Sequence, residues 1–143
     1  MSDGKVLLVD DEIEFTQALA ERLETRGLKV DAVSSGKDAL QKAKGGSYDA
    51  VFLDLAMPEM DGIETLKRLL AENPDLQVVL LTGHATVQSG IQAVKQGAMD
   101  FLEKPAKLDV ILEKIKQAQT NRILLIEKQS EEKIKKIMGK MGW

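Results

Sequence analysis

The stretch VFLDLAMPEMDG, residues 51–62, is the most informative segment for the fold. It contains a short apolar run that ends on a single carboxylate, Asp54. A short run that is apolar throughout is typical of a parallel strand covered on both faces. Here that strand is AVFL (50–53). Further strand-like segments are KVLLV (5–9), LKVDAV (28–33), VVLLT (78–82) and MDFL (99–102). The sequence therefore predicts five strands, of which 28–33, with its alternating pattern, suits a sheet edge.

Segments with apolar residues at helical spacing separate these strands and follow the last one. The apolar positions are Phe15, Ala18, Leu19 and Leu23, then Ile63, Leu66, Leu69 and Leu70, then Val87, Ile91, Val94 and Ala98, and finally Leu108, Ile111, Leu112 and Ile115. A shorter helix is predicted over 36–44, before Gly45 and Gly46. Strands alternating with helices indicate a doubly wound α/β fold, a five-stranded parallel sheet with helices on both faces.

Composition excludes several functional classes. The 143 residues favour one domain, and the net charge of −3 gives no general reason to expect direct nucleic-acid binding. The absence of cysteine excludes disulfides and thiolate chemistry, and the single histidine, His84, excludes a histidine-rich metal cluster. No signal segment and no run of membrane-spanning length is present, so we expect no membrane association and a cytoplasmic location.

Polar residues follow four of the predicted strands. Asp10 and Asp11 follow the first, Asp54 the third and Lys104 the fifth, while Thr82 ends the fourth. The carboxyl ends of parallel strands line one edge of the sheet, where ligands bind in open α/β folds. We therefore expect these side chains to form one site.

The expected site is suited to phosphoryl transfer. Neighbouring carboxylates raise one another's pKa, and Mg²⁺, which prefers oxygen ligands, relieves that repulsion. A lysine and a hydroxyl can stabilise the charge on a transferring phosphoryl group. Asp54, alone at the centre, is the predicted nucleophile, since aspartyl phosphates are known covalent intermediates. Asp10 and Asp11 are then predicted to hold the metal.

Each residue also has an ordinary structural interpretation. Asp11 could be a helix N-cap, as could Asp61. Thr82 could satisfy the backbone at a strand end, and Lys104 could be a solvated surface lysine. The functional interpretation depends on all four strands delivering such residues to the same edge.

Four motifs resemble the receiver domain of bacterial two-component response regulators. They are LLVDDE (7–12), LDLAMPEMDG (53–62), LLTGHA (80–85) and DFLEKP (100–105), and the resemblance covers about residues 4 to 120. It implies the strand order 2-1-3-4-5. It also implies a phosphoacceptor switch, which takes a phosphoryl group on Asp54 from a sensor histidine kinase or a small phosphodonor. Such a domain catalyses only its own phosphorylation and dephosphorylation and is otherwise not an enzyme.

The resemblance assigns a role to each site residue. Asp11, Asp54 and the backbone carbonyl of Ala56 would bind Mg²⁺, with Asp10 contributing through water. Thr82 and Lys104 would contact the phosphoryl oxygens, and the bond before Pro105 would be cis. Phosphorylation would draw Thr82 towards the phosphoryl group and let Phe101 rotate inward, unless Phe101 is an ordinary core aromatic. The face that signals would be the fourth helix, fifth strand and fifth helix, about residues 86 to 118.

Two small residues bear on the lifetime of a phosphorylated state. Gly83 leaves the site open, and Ala56 has no polar group that could orient an attacking water. We therefore expect slow hydrolysis, which an Ala56→Asn variant would accelerate.

The segment 121–143 is predicted to extend the last helix. No glycine or proline occurs between Leu108 and Met138, a helical length of about 45 Å. Its apolar residues indicate a partner helix from a second copy or packing back on the sheet, although a solvent-exposed amphipathic extension fits as well. It could be a dimerisation helix or a linker to an output domain or another downstream protein.

Two other functional classes are open to the same residues. A phosphohydrolase with an aspartyl nucleophile would share the lysine, the hydroxyl and Mg²⁺, but such enzymes typically have a second acid where this chain has Ala56. A binding module could keep the fold without being phosphorylated. Catalytic turnover of phosphoesters would identify a phosphohydrolase. The absence of stoichiometric phosphoryl labelling would identify a binding module.

Overall fold

The structure, a computed structural model, describes residues 4–55, 62–83 and 87–140. Within these ranges five strands alternate with five helices. They are β1 (Lys5–Val9), α1 (Ile13–Glu24), β2 (Lys29–Val33), α2 (Gly36–Gly45), β3 (Ala50–Leu53), α3 (Gly62–Glu72), β4 (Val78–Thr82), α4 (Val87–Lys95), β5 (Asp100–Glu103) and α5 (Leu108–Lys140). The predicted alternation is confirmed, and the ends of the strands differ from the prediction by at most one residue. Helix α4 ends at Lys95, so Ala98, predicted as part of its apolar stripe, lies beyond the helix but is still buried in the core.

The five strands form one parallel sheet in the order β2-β1-β3-β4-β5, as the family resemblance implied. The chain therefore reverses its direction of winding between β1 and β3, the point at which α/β sheets of this kind bind ligands. The carboxyl ends of β1, β3, β4 and β5 lie along one edge, called the site edge below. The opposite edge, where the strands begin, is the base edge.

Alternate residues of the buried strands fill two core layers, one on each face of the sheet. On one face Val51, Leu53 and Leu80 pack with residues of α2, α3 and α4. On the other face Phe52 and Leu81 pack with residues of α1 and α5. Because β3 and β4 are buried on both faces, their sequences are apolar throughout, and the first polar position falls where each strand ends.

Helix α5 is 33 residues long and its second half is exposed. Beyond residue 120 it first packs on the base edge: the amide of Asn121 donates to Gln77 at 2.9 Å, Arg122 forms an ion pair with Asp49, and Gln129 donates to Asp75 at 3.0 Å. The helix thus runs beyond the sheet only after these contacts. None of the described helices is both long and apolar enough to cross a membrane.

Candidate functional site

Backbone hydrogen bonds place the candidate residues directly at the site edge. The amide of Asp10 donates to Val33 at 3.1 Å, and that of Asp54 donates to Val9 at 2.9 Å. The amide of Lys104 donates to Thr82 at 2.9 Å. Each residue therefore continues the hydrogen-bonded ladder of the sheet, and its position follows from the strand before it. Asp10, Asp54 and Thr82 are all buried.

Three carboxylates of the described residues converge at this edge. One oxygen from each of Asp10, Glu12 and Asp54 lies within 4.8 Å of the others. Asp11, the other predicted ligand, is exposed and outside this group of three, so its role stays a prediction. An all-oxygen set of this charge and spacing fits a hard divalent cation.

Glu12 is the member of this group that the sequence did not predict. It occupies the N-cap position of α1, but its side chain makes no capping hydrogen bond. Its amide instead donates to the Asp10 carboxylate at 2.9 Å, and its own carboxylate lies 3.1 Å from Lys104 Nζ. The N-cap interpretation of Asp11 is therefore wrong, since the next residue holds that position. The helix start supplies a carboxylate to the site rather than a cap.

Lys104 reaches into the site and is not a solvated surface lysine. Its side chain is 11% exposed, and Nζ lies 2.5 Å from Asp10 Oδ2. Nζ also lies 4.2 Å from the centroid of the Phe15 ring. The bond between Lys104 and Pro105 is cis, as the resemblance implied. Asp10, Asp54 and Lys104, from three strands, thus lie together at the site edge, and Thr82 ends the neighbouring strand β4 at the same edge. The role of Thr82 stays a prediction.

Burial and neighbouring charges shift the pKa of two of these groups. Burial raises the pKa of Asp10, an effect that outweighs its hydrogen bond from Lys104, and the charge of Asp54 adds to it. Burial alone would lower the pKa of Lys104, but hydrogen bonds to Asp10 and Glu12 raise it overall. Lys104 therefore remains a cation, and the buried carboxylates have an electrostatic reason to bind further positive charge.

The start of α3 lies against the backbone of the phosphoacceptor candidate. The amide of Gly62 donates to Leu55 at 2.7 Å, and a Cβ at Gly62 would overlap the carbonyl of Asp54. Only glycine allows this close approach of a helix to the end of β3. The glycine of the opening motif thus has a physical role beside Asp54.

The two switch candidates lie on adjacent strands. Thr82, at the end of β4, is buried, and Phe101 on β5 is half-buried against the α2–α4 side of the core. The Phe101 ring also packs on Gly90 of α4, where a Cβ would overlap the ring. Residue 83 offers open space, since a Cβ built there meets no atom within 4 Å. Ala56, Asp61 and His84 lie outside the described residues.

Comparison with known proteins identifies the class to which this fold and site belong. The family model of the response regulator receiver domain matches residues 6–116. The chain belongs to this family, whose members act in two-component systems. The prediction made from the four motifs is thereby confirmed.

Particular relatives support the same assignment. The chain is 34% identical over 125 residues to the C4-dicarboxylate transport transcriptional regulatory protein DctD of Rhizobium meliloti, covering 87% of this chain and 27% of that protein. Among solved structures, NtrX from Brucella abortus, crystallised with ATP, matches with a TM-score of 0.83 at 28% identity, covering 90% of this chain and 29% of that one. The CheX–CheY–BeF3–Mg²⁺ complex from Borrelia burgdorferi gives a TM-score of 0.75 at 27% identity, covering 78% and 86%. The chain thus spans about a quarter of the length of regulators such as DctD.

Proposed function

We propose that this domain is a phosphoacceptor switch, in which Asp54 takes a phosphoryl group from the phosphohistidine of a sensor histidine kinase. The observation that carries the proposal is the convergence of Asp10, Glu12 and Asp54 with the ammonium of Lys104 at the site edge. This set joins a candidate nucleophile, a cation-binding group and a fixed positive charge. Those are the parts that phosphoryl transfer requires.

In the proposed reaction an oxygen of Asp54 attacks the phosphorus atom of the donor. A new P–O bond forms, the bond between phosphorus and the donor nitrogen breaks, and its electron pair stays on the donor imidazole. Lys104 and Thr82 would contact the phosphoryl oxygens, which carry the developing charge.

The carboxylate group of the site fits Mg²⁺. As the family resemblance implies, Asp11, Asp54 and the carbonyl of Ala56 would hold the ion, with Asp10 contributing through water. Glu12, whose carboxylate lies with those of Asp10 and Asp54, is positioned to take part as well. When bound, the ion would neutralise charge on the transferring phosphoryl group. The presence of Mg²⁺ in the structurally similar Borrelia burgdorferi complex supports this choice of ion.

We further propose that the signal leaves through α4, β5 and α5. Phe101 links the site edge to this face, because it lies on β5, packs on Gly90 of α4 and neighbours the strand that ends in Thr82. A displacement of Thr82 would change the space available to Phe101 and so alter its packing on α4. The partner would be an output domain or a separate protein, as expected from the longer relatives of which this chain spans a quarter.

The exposed half of α5 is the proposed dimerisation segment. Ile134, Ile137 and Met138 are about half exposed on it, at helical spacing. A second copy of this helix would cover them. Ile137→Glu would then lower the molar mass measured by light scattering from dimer to monomer, whereas Lys136→Glu would leave it unchanged; a monomeric parent chain would contradict the proposal.

Intact-protein mass spectrometry tests the phosphoacceptor directly. The chain is incubated with acetyl phosphate, with Mg²⁺ or with EDTA, beside Asp54→Asn and a control, Asp38→Asn, which changes an exposed acid on α2. We expect one added phosphoryl group in the parent and in Asp38→Asn with Mg²⁺, and none in Asp54→Asn. Equal labelling of Asp54→Asn would contradict the assignment.

The same reaction separates the switch from an enzyme. A switch consumes one donor per chain and then turns over only as its own acyl phosphate hydrolyses. A phosphohydrolase would release phosphate continuously from unrelated phosphoesters. We therefore expect no release from a simple aryl phosphate beyond that of Asp54→Asn.

A further inference from the structure

Among the described residues, three groups hold the ammonium of Lys104, and all of them come from the segment between the end of β1 and the first turn of α1. Two are the carboxylates of Asp10 and Glu12, at 2.5 and 3.1 Å. The third is the ring of Phe15, whose centroid lies 4.2 Å from Nζ. That separation is well within the distance at which a cation is attracted to the face of an aromatic ring, about 6 Å.

The Phe15 ring is itself held in place. Phe15 is the third residue of α1 and packs against the core layer shared with α5. The core therefore supports the ring, which also lies against Lys104. The Lys104 side chain is only 11% exposed, so this contact is largely shielded from water. Cation–π attraction is stronger at such shielded sites than at exposed ones.

A lysine in such a site needs positional restraint. Its ammonium is a compact charge on a flexible stem with four methylene groups, so hydrogen bonds alone leave it several arrangements. Asp10 and Glu12 are also members of the proposed cation site, so their hold on Lys104 would weaken when a divalent cation competes for the same oxygens. The ring of Phe15 cannot bind that cation as a carboxylate does, and its contact with Lys104 does not depend on those oxygens.

We propose that Phe15 is a positioning residue that holds the Lys104 ammonium in the site through the face of its ring. The proposal rests on the proposed function, in which Lys104 contacts the transferring phosphoryl group. An ordinary core position would accept any apolar side chain of similar volume. The proposed role instead requires the negative potential of an aromatic face.

The test varies that potential at nearly constant shape. Mono-, di- and trifluorophenylalanine are placed at position 15 of the full chain, and the rate of phosphorylation by acetyl phosphate with Mg²⁺ is measured. Each fluorine weakens the attraction for a cation, so we expect a stepwise fall that reaches about three- to tenfold. Phe15→Tyr should retain the parent rate, and in Phe15→Leu the rate should fall at least as far as in the trifluorophenylalanine variant. The same series at Phe52, in the same core layer, is the control and should give a flat response.

A second readout does not depend on phosphorylation. The ε-methylene protons of Lys104 should show an upfield ring-current shift in the NMR spectrum of the parent chain, lost in Phe15→Leu. A shifted signal with a fluorine-dependent rate supports the proposal. A normal ε-methylene signal, or a rate that does not change along the position 15 series, overturns it. A shifted signal in a chain that acetyl phosphate does not label overturns the proposed function and, with it, the kinetic role of Phe15, while leaving the contact itself established.

Discussion

The two edges of the sheet both carry charged side chains, but they use them in opposite ways. At the site edge, Asp10 is buried beside Asp54 and its pKa is raised, so its ionised form opposes folding. At the base edge, Tyr48, just before β3, donates a hydrogen bond at 2.7 Å to Asp31 on β2; the pKa of Asp31 is lowered, so its ionised form favours folding. Charge at the base edge stabilises the domain, whereas charge at the site edge is retained at the expense of stability.

The base edge also fixes the direction of α5. Asp49 accepts hydrogen bonds from Arg122, from the amide of Lys5 at 3.2 Å and from the amide group of Gln119 at 3.4 Å. One carboxylate thereby joins β1 to the part of α5 that leaves the sheet. A signal carried along α5 would start from a helix anchored at this point.

The largest effect is expected from crowding the site edge at Gly62. A Cβ in Gly62→Ala would overlap the backbone of Asp54 and Leu55, which cannot move without disturbing β3. We expect a loss of roughly 3 kcal/mol in the free energy of unfolding. Gly45→Ala is the matched control, because a Cβ there meets nothing within 4 Å. Urea unfolding that showed equal stability for both variants would contradict this close approach.

Removing an acid should have opposite effects at the two edges. Asp49→Ala leaves Arg122 and the Lys5 amide without their partner, and we expect a loss of about 1–2 kcal/mol. Asp10→Asn removes a charge whose ionised form is disfavoured in the folded state by burial and by Asp54. The Asn side-chain oxygen can still accept from the Glu12 amide and from Lys104, so we expect stability to rise by about 1 kcal/mol in the absence of divalent cations. The measurement is urea unfolding in EDTA. A loss of stability in Asp10→Asn would contradict the claim that charge at the site edge opposes folding.

The smallest effect is the pH dependence contributed by Tyr48. Burial, with the hydrogen bond to Asp31, raises the pKa of Tyr48 to about 12. Because folding raises this pKa, Tyr48 contributes fully to the free energy of unfolding when the pH is below about 10, its pKa in the unfolded chain. The contribution is lost as the pH rises towards about 12, the pKa in the folded chain. Tyr48→Phe should therefore be about 1 kcal/mol less stable than the parent at pH 8, with a smaller difference at pH 11. A stability difference between Tyr48→Phe and the parent that did not shrink as the pH rises would contradict the hydrogen bond between Tyr48 and Asp31.

The sequence could predict those parts of the molecule that follow from periodicity. Buried parallel strands are apolar throughout, so the polar residues at their ends stand out, and Asp10, Asp54, Thr82 and Lys104 were found in this way. The strand order came from the family resemblance rather than from the pattern. Asp11 was expected beside Asp10, but two adjacent residues face different directions, and the structure brings Glu12 to the group of three instead.

The contacts that could not be predicted join residues distant in the sequence. Phe15 fits the apolar stripe of α1, and nothing local shows that Lys104 lies on its ring. Arg122 resembles any other charged residue of a solvated helix, yet it pairs with Asp49 across the base edge. Such pairs depend on how the elements pack, which the pattern of a single segment does not contain.

The central claim is that Asp54 is the phosphoacceptor of this site, and chemical trapping tests it at the level of the residue. The chain is treated with acetyl phosphate and Mg²⁺, reduced with borohydride, which converts an aspartyl phosphate to homoserine, and mapped by peptide mass spectrometry. We predict homoserine at position 54, dependent on both the donor and Mg²⁺. Homoserine at position 10 or 11 instead, or an intact position 54 in a chain that has gained a phosphoryl group, would contradict the claim.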